Sequence, residues 1–149
     1  MREEIDFPEN PYDDLGFLFW QIMKAWQRRK NKLLDEFEVT VSQMEVLSAI
    51  HHLSRTDEEI TQIAISNQTN IDPMTTSTIL RNLQKKKLIT RKSSKVDTRA
   101  RIVEMTDEGH NLLVRAVKKL KASSKEKLTT IDEDILKEQL RKLLNVLQN

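Results

Sequence analysis

"KVDTRARIVEMTDEG", Lys95 to Gly109, carries an aspartate and two spaced arginines, then an alternating run, then the start of a helix. Ile102, Glu104 and Thr106 alternate with Val103 and Met105, and upstream "LITRKSS" sets Ile89 and Arg91 two residues apart, which is the period of a strand. The two runs flanking "KVDTRA" predict a two-stranded hairpin decorated by Lys92, Lys95, Arg99 and Arg101. Asp97 precedes Arg99 by two residues and Arg101 by four, close enough for its carboxylate to pair with one of them and hold the turn. An ordinary basic surface hairpin has the same pattern, so the residues before it bear on the choice.

Those residues read as two short helices joined by a tight turn. In "ITQIAISNQ", Thr61 is placed to cap a helix that turns Ile63, Ala64 and Ile65 inward. In "TNIDPM", Asn70 suits a left-handed turn, Asp72 an N-cap and Pro73 a first helical position. The helix that follows sends Thr76, Ile79, Leu80 and Leu83 to one face and Thr75, Ser77, Thr78, Arg81, Asn82 and Lys85 to the other. Small hydroxyls approach phosphates and base edges closely, and Arg81 and Asn82 carry the forked groups that read purines in a major groove. A capped, solvated surface helix shares this composition. Upstream, "VSQMEVLSAIHHL" offers Ser42 as N-cap with Glu45 three residues on, a capping box, followed by Val46, Leu47, Ile50 and Leu53 on one face. A helix-turn-helix followed at once by a hairpin is a winged arrangement, and it would set the wing arginines beside a narrow minor groove.

Charge agrees with that arrangement. The net charge is only +2, yet nine basic residues stand against one acid between Pro73 and Arg101, which leaves the rest of the chain acidic. Such polarity fits a surface that meets a polyanion, and a solvated lysine-rich helix has it too. The 149 residues suit one domain, with 32% charged residues and only two glycines and three prolines. There is no long apolar run, and the acidic opening "MREEIDFPENPYDD" is unlike a signal peptide, so a cytoplasmic protein without a membrane partner is expected. Zero cysteines exclude disulfides and thiolate metal sites.

Toward the N-terminus, Leu15, Leu18, Phe19, Ile22, Met23, Trp26, Leu33, Leu34 and Phe37 recur at helical spacing, which predicts one long helix from about Tyr12 to Phe37. Leu112 to Leu120 mark a second long helix, and Ile135, Leu136, Leu140, Leu143, Leu144 and Leu147 a third, with Asp132, Glu133 and Asp134 at its positive dipole end. These apolar stripes exceed what a small middle can cover. Pairing with a second copy accounts for them; so does a hairpin of the terminal helices, and the two are compatible.

Catalytic chemistry lacks its parts: no cysteine, no glycine-rich phosphate loop, no H-E-x-x-H and no G-x-S-x-G. His51 and His52 are neighbours that cannot face one way, so one buried and one exposed is expected; His110 stands alone beyond the hairpin. No enzyme, no cofactor and no metal site are expected.

"DTRARIVEMTDEG" (Asp97, Arg99, Thr106, Gly109) resembles the D-x-R-x-x-x-x-x-L-T-x-x-G wing signature of the MarR family of bacterial transcriptional regulators, and "DPMTTSTILRNLQKKKLITR" is similar to the segment before it. The resemblance extends over nearly the whole chain. It implies a mainly α fold with a small β-hairpin wing: a winged helix-turn-helix with long terminal helices forming a dimerisation domain. Residues 1–38 would be an N-terminal tail and dimerisation helix, 39–106 the DNA-binding unit and 107–149 the closing dimerisation helices, in one compact domain. It further implies a homodimer reading a pseudo-palindromic operator on duplex DNA, with recognition contacts at Ser77, Thr78, Arg81 and Asn82 and the wing pair at Asp97 and Arg99. Many members of the family respond to a small aromatic effector, for which Trp20, Met23, Trp26, Met44 and His51 are the residues placed to line a pocket; rings and methionines at helical spacing are also what plain core looks like. Met105 stands where the family usually has leucine, a change of little volume. Lys87 stands where it usually has glycine, which makes Lys87 either a strained left-handed residue or an added phosphate contact. The expected function is a ligand-responsive repressor; the alternative is a helical interaction module whose winged unit does not bind DNA specifically.

Overall fold

The computed structural model describes residues 1–56 and 59–149. In chain order it has α1 (Leu15–Leu34), α2 (Val41–Leu53), α3 (Gln62–Thr69), α4 (Pro73–Lys85), β1 (Ile89–Ser93), β2 (Arg101–Met105), α5 (Asp107–Lys127) and α6 (Glu133–Gln148), with 3-10 turns at Pro11–Asp13 and Asp35–Phe37 on either side of α1. The single long helix expected from Tyr12 to Phe37 is instead α1 flanked by these two tighter turns, because Asp14 is extended and caps α1 with its carboxylate on the Phe17 amide. The chain divides into two units, Met1–Leu113 and Val114–Asn149.

The first unit is built on apolar side chains from α2, α3, α4 and the hairpin. Val46, Leu47, Ile50, Ile65, Leu80, Leu83, Leu88, Ile89 and Val103 are each exposed by 3% or less. At about 1.5–3 kcal/mol for each large side chain removed from water, this cluster outweighs any polar contact near it. Thr76 is buried among them, and its hydroxyl donates to the Asp72 and Ile71 carbonyls at 2.9 and 3.2 Å. Strands β1 and β2 pair antiparallel, with Ile89 opposite Met105 and Ser93 opposite Arg101. Ile60 and Thr61 add a short third edge, since the Val103 amide donates to the Ile60 carbonyl at 2.8 Å and Thr61 bridges to Ile102. That edge explains why Ile102 and Val103 are both buried, where simple alternation would bury one face only.

Two local expectations are corrected. The capping box of α2 is Thr40 with Gln43, not Ser42 with Glu45: Thr40 Oγ1 accepts from the Gln43 amide at 3.2 Å and Gln43 Oε1 accepts from the Thr40 amide at 3.1 Å. The sequence carries two overlapping frames of the same motif, and the one used also buries Val39 and Met44, the positions of a hydrophobic staple. In α3, Ile63 is exposed, whereas Ile65 and Ser66 are buried. Residues 63 and 65 lie about 200° apart on a helix and cannot share a face; Ser66 goes inward because its hydroxyl donates to the Ile71 carbonyl and closes the α3–α4 turn. The other expectations for that turn hold: Thr61 caps α3, Asn70 is left-handed at φ 56°, and Asp72 caps α4 ahead of Pro73.

Helix α4 ends in a Schellman turn. The Lys87 amide donates to Gln84 O and the Leu88 amide to Leu83 O, both at 3.0 Å, with Lys87 left-handed at φ 59°. Of the two readings of Lys87, the backbone one is thereby met. Thr106 then joins this turn to α5: its hydroxyl donates to Lys87 O at 2.8 Å, its amide to Leu88 O at 3.1 Å, and its Oγ accepts from the Gly109 amide at 3.0 Å. A Cβ on Gly109 would fall 2.1 Å from the Leu88 carbonyl oxygen, which is why this position admits no side chain.

In the second unit, α6 is capped by Asp132, whose carboxylate accepts from the Ile135 amide at 3.1 Å. None of its residues is buried; Ile135, Leu140, Leu144 and Leu147 are exposed along it. In the first unit, Trp20, Ile22 and Met23 of α1 are exposed as well.

Gly109→Ala is expected to destabilise the protein by about 1–3 kcal/mol, because a backbone oxygen must move, and calorimetry should show a lower unfolding midpoint. Lys87→Gly removes left-handed strain on the order of 1 kcal/mol at a smaller entropic cost. Its midpoint should rise by roughly 1–3 °C.

Candidate nucleic-acid interface

Helix α4 presents the polar face expected of it. Thr75, Thr78, Arg81, Asn82 and Lys85 are exposed, and Ser77 is half-buried at the edge of that face. The first turn is held by Asp72: one carboxylate oxygen accepts from the Thr75 amide at 2.9 Å, the other from the Thr75 hydroxyl at 2.6 Å. These bonds, the hydroxyl first, hold the Asp72 carboxyl below its ordinary range. A depressed carboxyl stabilises the folded state above its unfolded pKa and loses that contribution as pH falls through the folded value, so the cap is intact at neutral pH. One turn on, Arg81 Nη2 donates to Thr78 Oγ1 at 3.2 Å, which lays the guanidinium along the exposed face.

The hairpin places the remaining cations. Lys92, Lys95, Arg99 and Arg101 are all exposed. Lys92 pairs with Glu104 at 2.8 Å, both half-exposed, an ion pair of small worth in water. The ion pair expected of Asp97 with Arg99 or Arg101 is not formed; Asp97 shapes the turn through the backbone instead, its carboxylate accepting from the Arg99 amide and its carbonyl from the Ala100 amide, each at 3.0 Å.

The turn hangs on a residue that the sequence reading passed over. Ser94 is 4% exposed; its hydroxyl accepts from the Val96 and Asp97 amides at 3.0 and 3.1 Å and donates to the Glu59 carboxylate. Glu59 also accepts from the Lys95 amide at 3.2 Å. A carboxylate from the α2–α3 connection thus fixes the root of the wing tip. Glu59 lies in an acidic, non-periodic loop 35 residues from Ser94, and only the "SS" before the turn hinted at a polar anchor. Arg91, half-buried on β1 with its Nε donating to Gln84 Oε1 at 2.8 Å, was also absent from the expected set.

No one cavity among the described residues gathers the five side chains expected to line an effector pocket. Trp20 lines an aromatic hollow of about 480 Å³ with Phe7, Phe17 and Asp14. His51 lines a separate cleft of about 410 Å³ with Ile60, Val103 and His110. Met44 is buried; Met23 and Trp26 are exposed on α1. His51 is half-buried and His52 exposed, so neither is core. His110 is not isolated, its ring centroid lying 6.1 Å from that of His51.

Comparison with known proteins agrees with this geometry. Residues 28–116 match the family model described as transcriptional regulator SarA/Rot. An uncharacterised HTH-type transcriptional regulator of Bacillus subtilis, YdcH, is 34% identical over 109 residues, covering 72% of this chain and 73% of that protein. Among solved structures, the S. aureus MepR–DNA complex superposes with a TM-score of 0.80 at 24% identity, over 93% of this chain and 99% of that one. CouR from Rhodococcus jostii RHA1 bound to p-coumaroyl-CoA gives 0.79 at 21% identity, over 94% and 95%.

Ser94→Ala is expected to leave the fold intact and to speed hydrogen exchange at the Val96 and Asp97 amides, whose shared acceptor is removed at about 1 kcal/mol. Unchanged exchange at both amides would refute the anchoring role of Ser94. A MarR-family transcriptional regulator from Rhodococcus sp. RHA1 shares the fold, with a TM-score of 0.79 at 19% identity over 93% of this chain and 96% of that one, and on the match to its model the chain belongs to the SarA/Rot family of transcriptional regulators.

Proposed function

We propose that this regulator is a cytoplasmic, ligand-responsive repressor that binds a pseudo-palindromic operator on duplex DNA as a homodimer. The observation that carries the reading is the shared seat of α4 and the hairpin, which puts an exposed polar helix face and an arginine-bearing turn on one rigid base. In this reading α4 enters a major groove, where Thr75, Ser77 and Thr78 approach the backbone and base edges, Arg81 and Asn82 read bases, and Lys85 meets a phosphate. Lys92, Lys95, Arg99 and Arg101 follow the adjoining minor groove, with Asp97 shaping the turn. The exposed apolar residues of α1 and of α6 are covered by a second copy.

Support for an effector comes from CouR, a fold neighbour whose structure holds p-coumaroyl-CoA. A small aromatic molecule bound in the hollow beside Trp20 or in the cleft beside His51 would release DNA by favouring the DNA-incompetent shape, and a coupling of about 1–3 kcal/mol is enough for a useful switch. Domain roles follow the same reading: 1–38 and 107–149 dimerise, and 39–106 binds DNA.

Selection of bound duplexes from a random pool tests the reading directly. It should return related half-sites about one helical turn apart; a pool that stays random would refute sequence-specific recognition. On the recovered operator, Arg99→Ala should weaken binding while sedimentation still shows an intact dimer, and retention of full affinity would remove Arg99 from the interface.

A further inference from the structure

Three arginines from three elements converge where α4 meets the hairpin. Arg81 and Gln84 lie one turn apart on α4. Arg91 stands on the face of β1 that turns toward α4, held by the 2.8 Å bond from its Nε to Gln84 Oε1. Arg91 pairs with Val103 and Ser93 with Arg101, so Arg91 and Arg101 are diagonal neighbours on one face of the hairpin. The acid of this hairpin, Glu104, alternates to the other face and is taken by Lys92. Among the described residues, none of the three arginines is ion-paired. The Arg91 guanidinium is held below the ordinary arginine range, by burial first and then by the charges of Arg101 and Arg81. Packing like charges together without a counter-charge is unfavourable, and an arriving anion relieves it.

We propose that Arg91 and Arg101 form a binding site for a single phosphodiester group, with Gln84 as the residue that aims Arg91 and Arg81 bordering the site on the groove side. Gln84 occupies Nε, and among the described residues neither terminal nitrogen of Arg91 has a hydrogen-bond partner, which leaves a fork that matches two oxygens of one phosphate. The proposal rests on the DNA-binding reading: the backbone strand that separates a major groove holding α4 from the minor groove beside the wing passes between these two elements. Arg91 then contributes affinity without sequence information, and Arg81 keeps its place at the bases.

The test compares the wild type with Arg91→Ala and Gln84→Ala, in the full-length protein, on the selected operator and on an unrelated duplex of equal length. Arg91→Ala should lower affinity for both duplexes by the same factor, about tenfold at moderate salt. The slope of log affinity against log salt should become shallower by about one. Gln84→Ala should give a smaller loss of the same kind. Without DNA, the unfolding midpoint of Arg91→Ala should match or exceed the wild type's at low salt, which a fold-supporting arginine would not allow. Unchanged affinity and slope in Arg91→Ala, or a loss confined to the operator, would overturn the site while leaving the DNA-binding reading in place. Should the wild type bind no duplex even at low salt, that reading fails, and inorganic phosphate becomes the probe. Movement of the Arg91 Nε–Hε resonance on phosphate titration then upholds a phosphate site, and a resonance that stays put overturns it.

Discussion

Two successive carbonyls, those of Lys87 and Leu88, are both claimed by Thr106, and the geometry of the first unit depends on that claim. The left-handed turn at Lys87 stops α4 and aims the chain into β1; Thr106 ends β2 and starts α5. Because one threonine holds the turn with its hydroxyl and its amide, the hairpin is closed at its base and tied to the end of the helix before it. Gly109 completes the joint by letting the first turn of α5 sit against the Leu88 carbonyl, where no Cβ fits. Leu83, Leu88 and Ile89, around this joint, are nearly without solvent exposure, so opening it would expose apolar surface as well as break hydrogen bonds.

Rigidity declines outward from that joint. At the base of the hairpin, Ile89 and Val103 belong to the core; at the tip, Val96 is 88% exposed. Between the two, order depends on polar contacts: Glu59 to Ser94, Ser94 to the amides of Val96 and Asp97, and Asp97 to the amide of Arg99. Each is worth on the order of 1 kcal/mol, far less than the burial at the base. A tip tethered in this way keeps its turn but can follow a surface that it meets. Two of its supports, Glu59 and the Ile60 edge on β2, come from the connection between α2 and α3, so the wing is referenced to the helix-turn-helix from both sides.

Much of this was legible in the sequence because it is local. The Asn70, Asp72 and Pro73 signals name one turn and one cap, and period-2 and period-3.6 patterns locate the hairpin and the helices without knowledge of tertiary contacts. Where two local signals compete, as in the overlapping Thr40–Gln43 and Ser42–Glu45 frames, sequence alone does not rank them; the burial of Val39 and Met44 does. Ile63 shows the limit of counting apolar residues in a helix of only two turns, where one residue of misphasing changes the face. The partners of Glu59, Ser94, Gln84 and Arg91 carried no pattern, because they lie 35 and seven residues apart, and the seven-residue pair joins a helix to a strand.

Three features of the first unit run against local stability: a lysine in a left-handed conformation, three arginines gathered without an acid among the described residues, and large apolar side chains left on the surface of α1. A sequence selected for the isolated fold alone would place glycine at 87, an acid beside Arg91 and polar groups at 20, 22 and 23. The buried cluster of α2, α3, α4 and the hairpin is large enough to tolerate all three. Local rules are most often broken where a protein meets something else. The arginine cluster and the apolar face differ in the kind of partner they suit, since a polyanion answers unpaired guanidinium groups and a second apolar surface answers exposed tryptophan, isoleucine and methionine. At Lys87 the two effects oppose each other: a glycine at the end of α4 would ease the backbone and remove one cation from the most basic stretch of the chain.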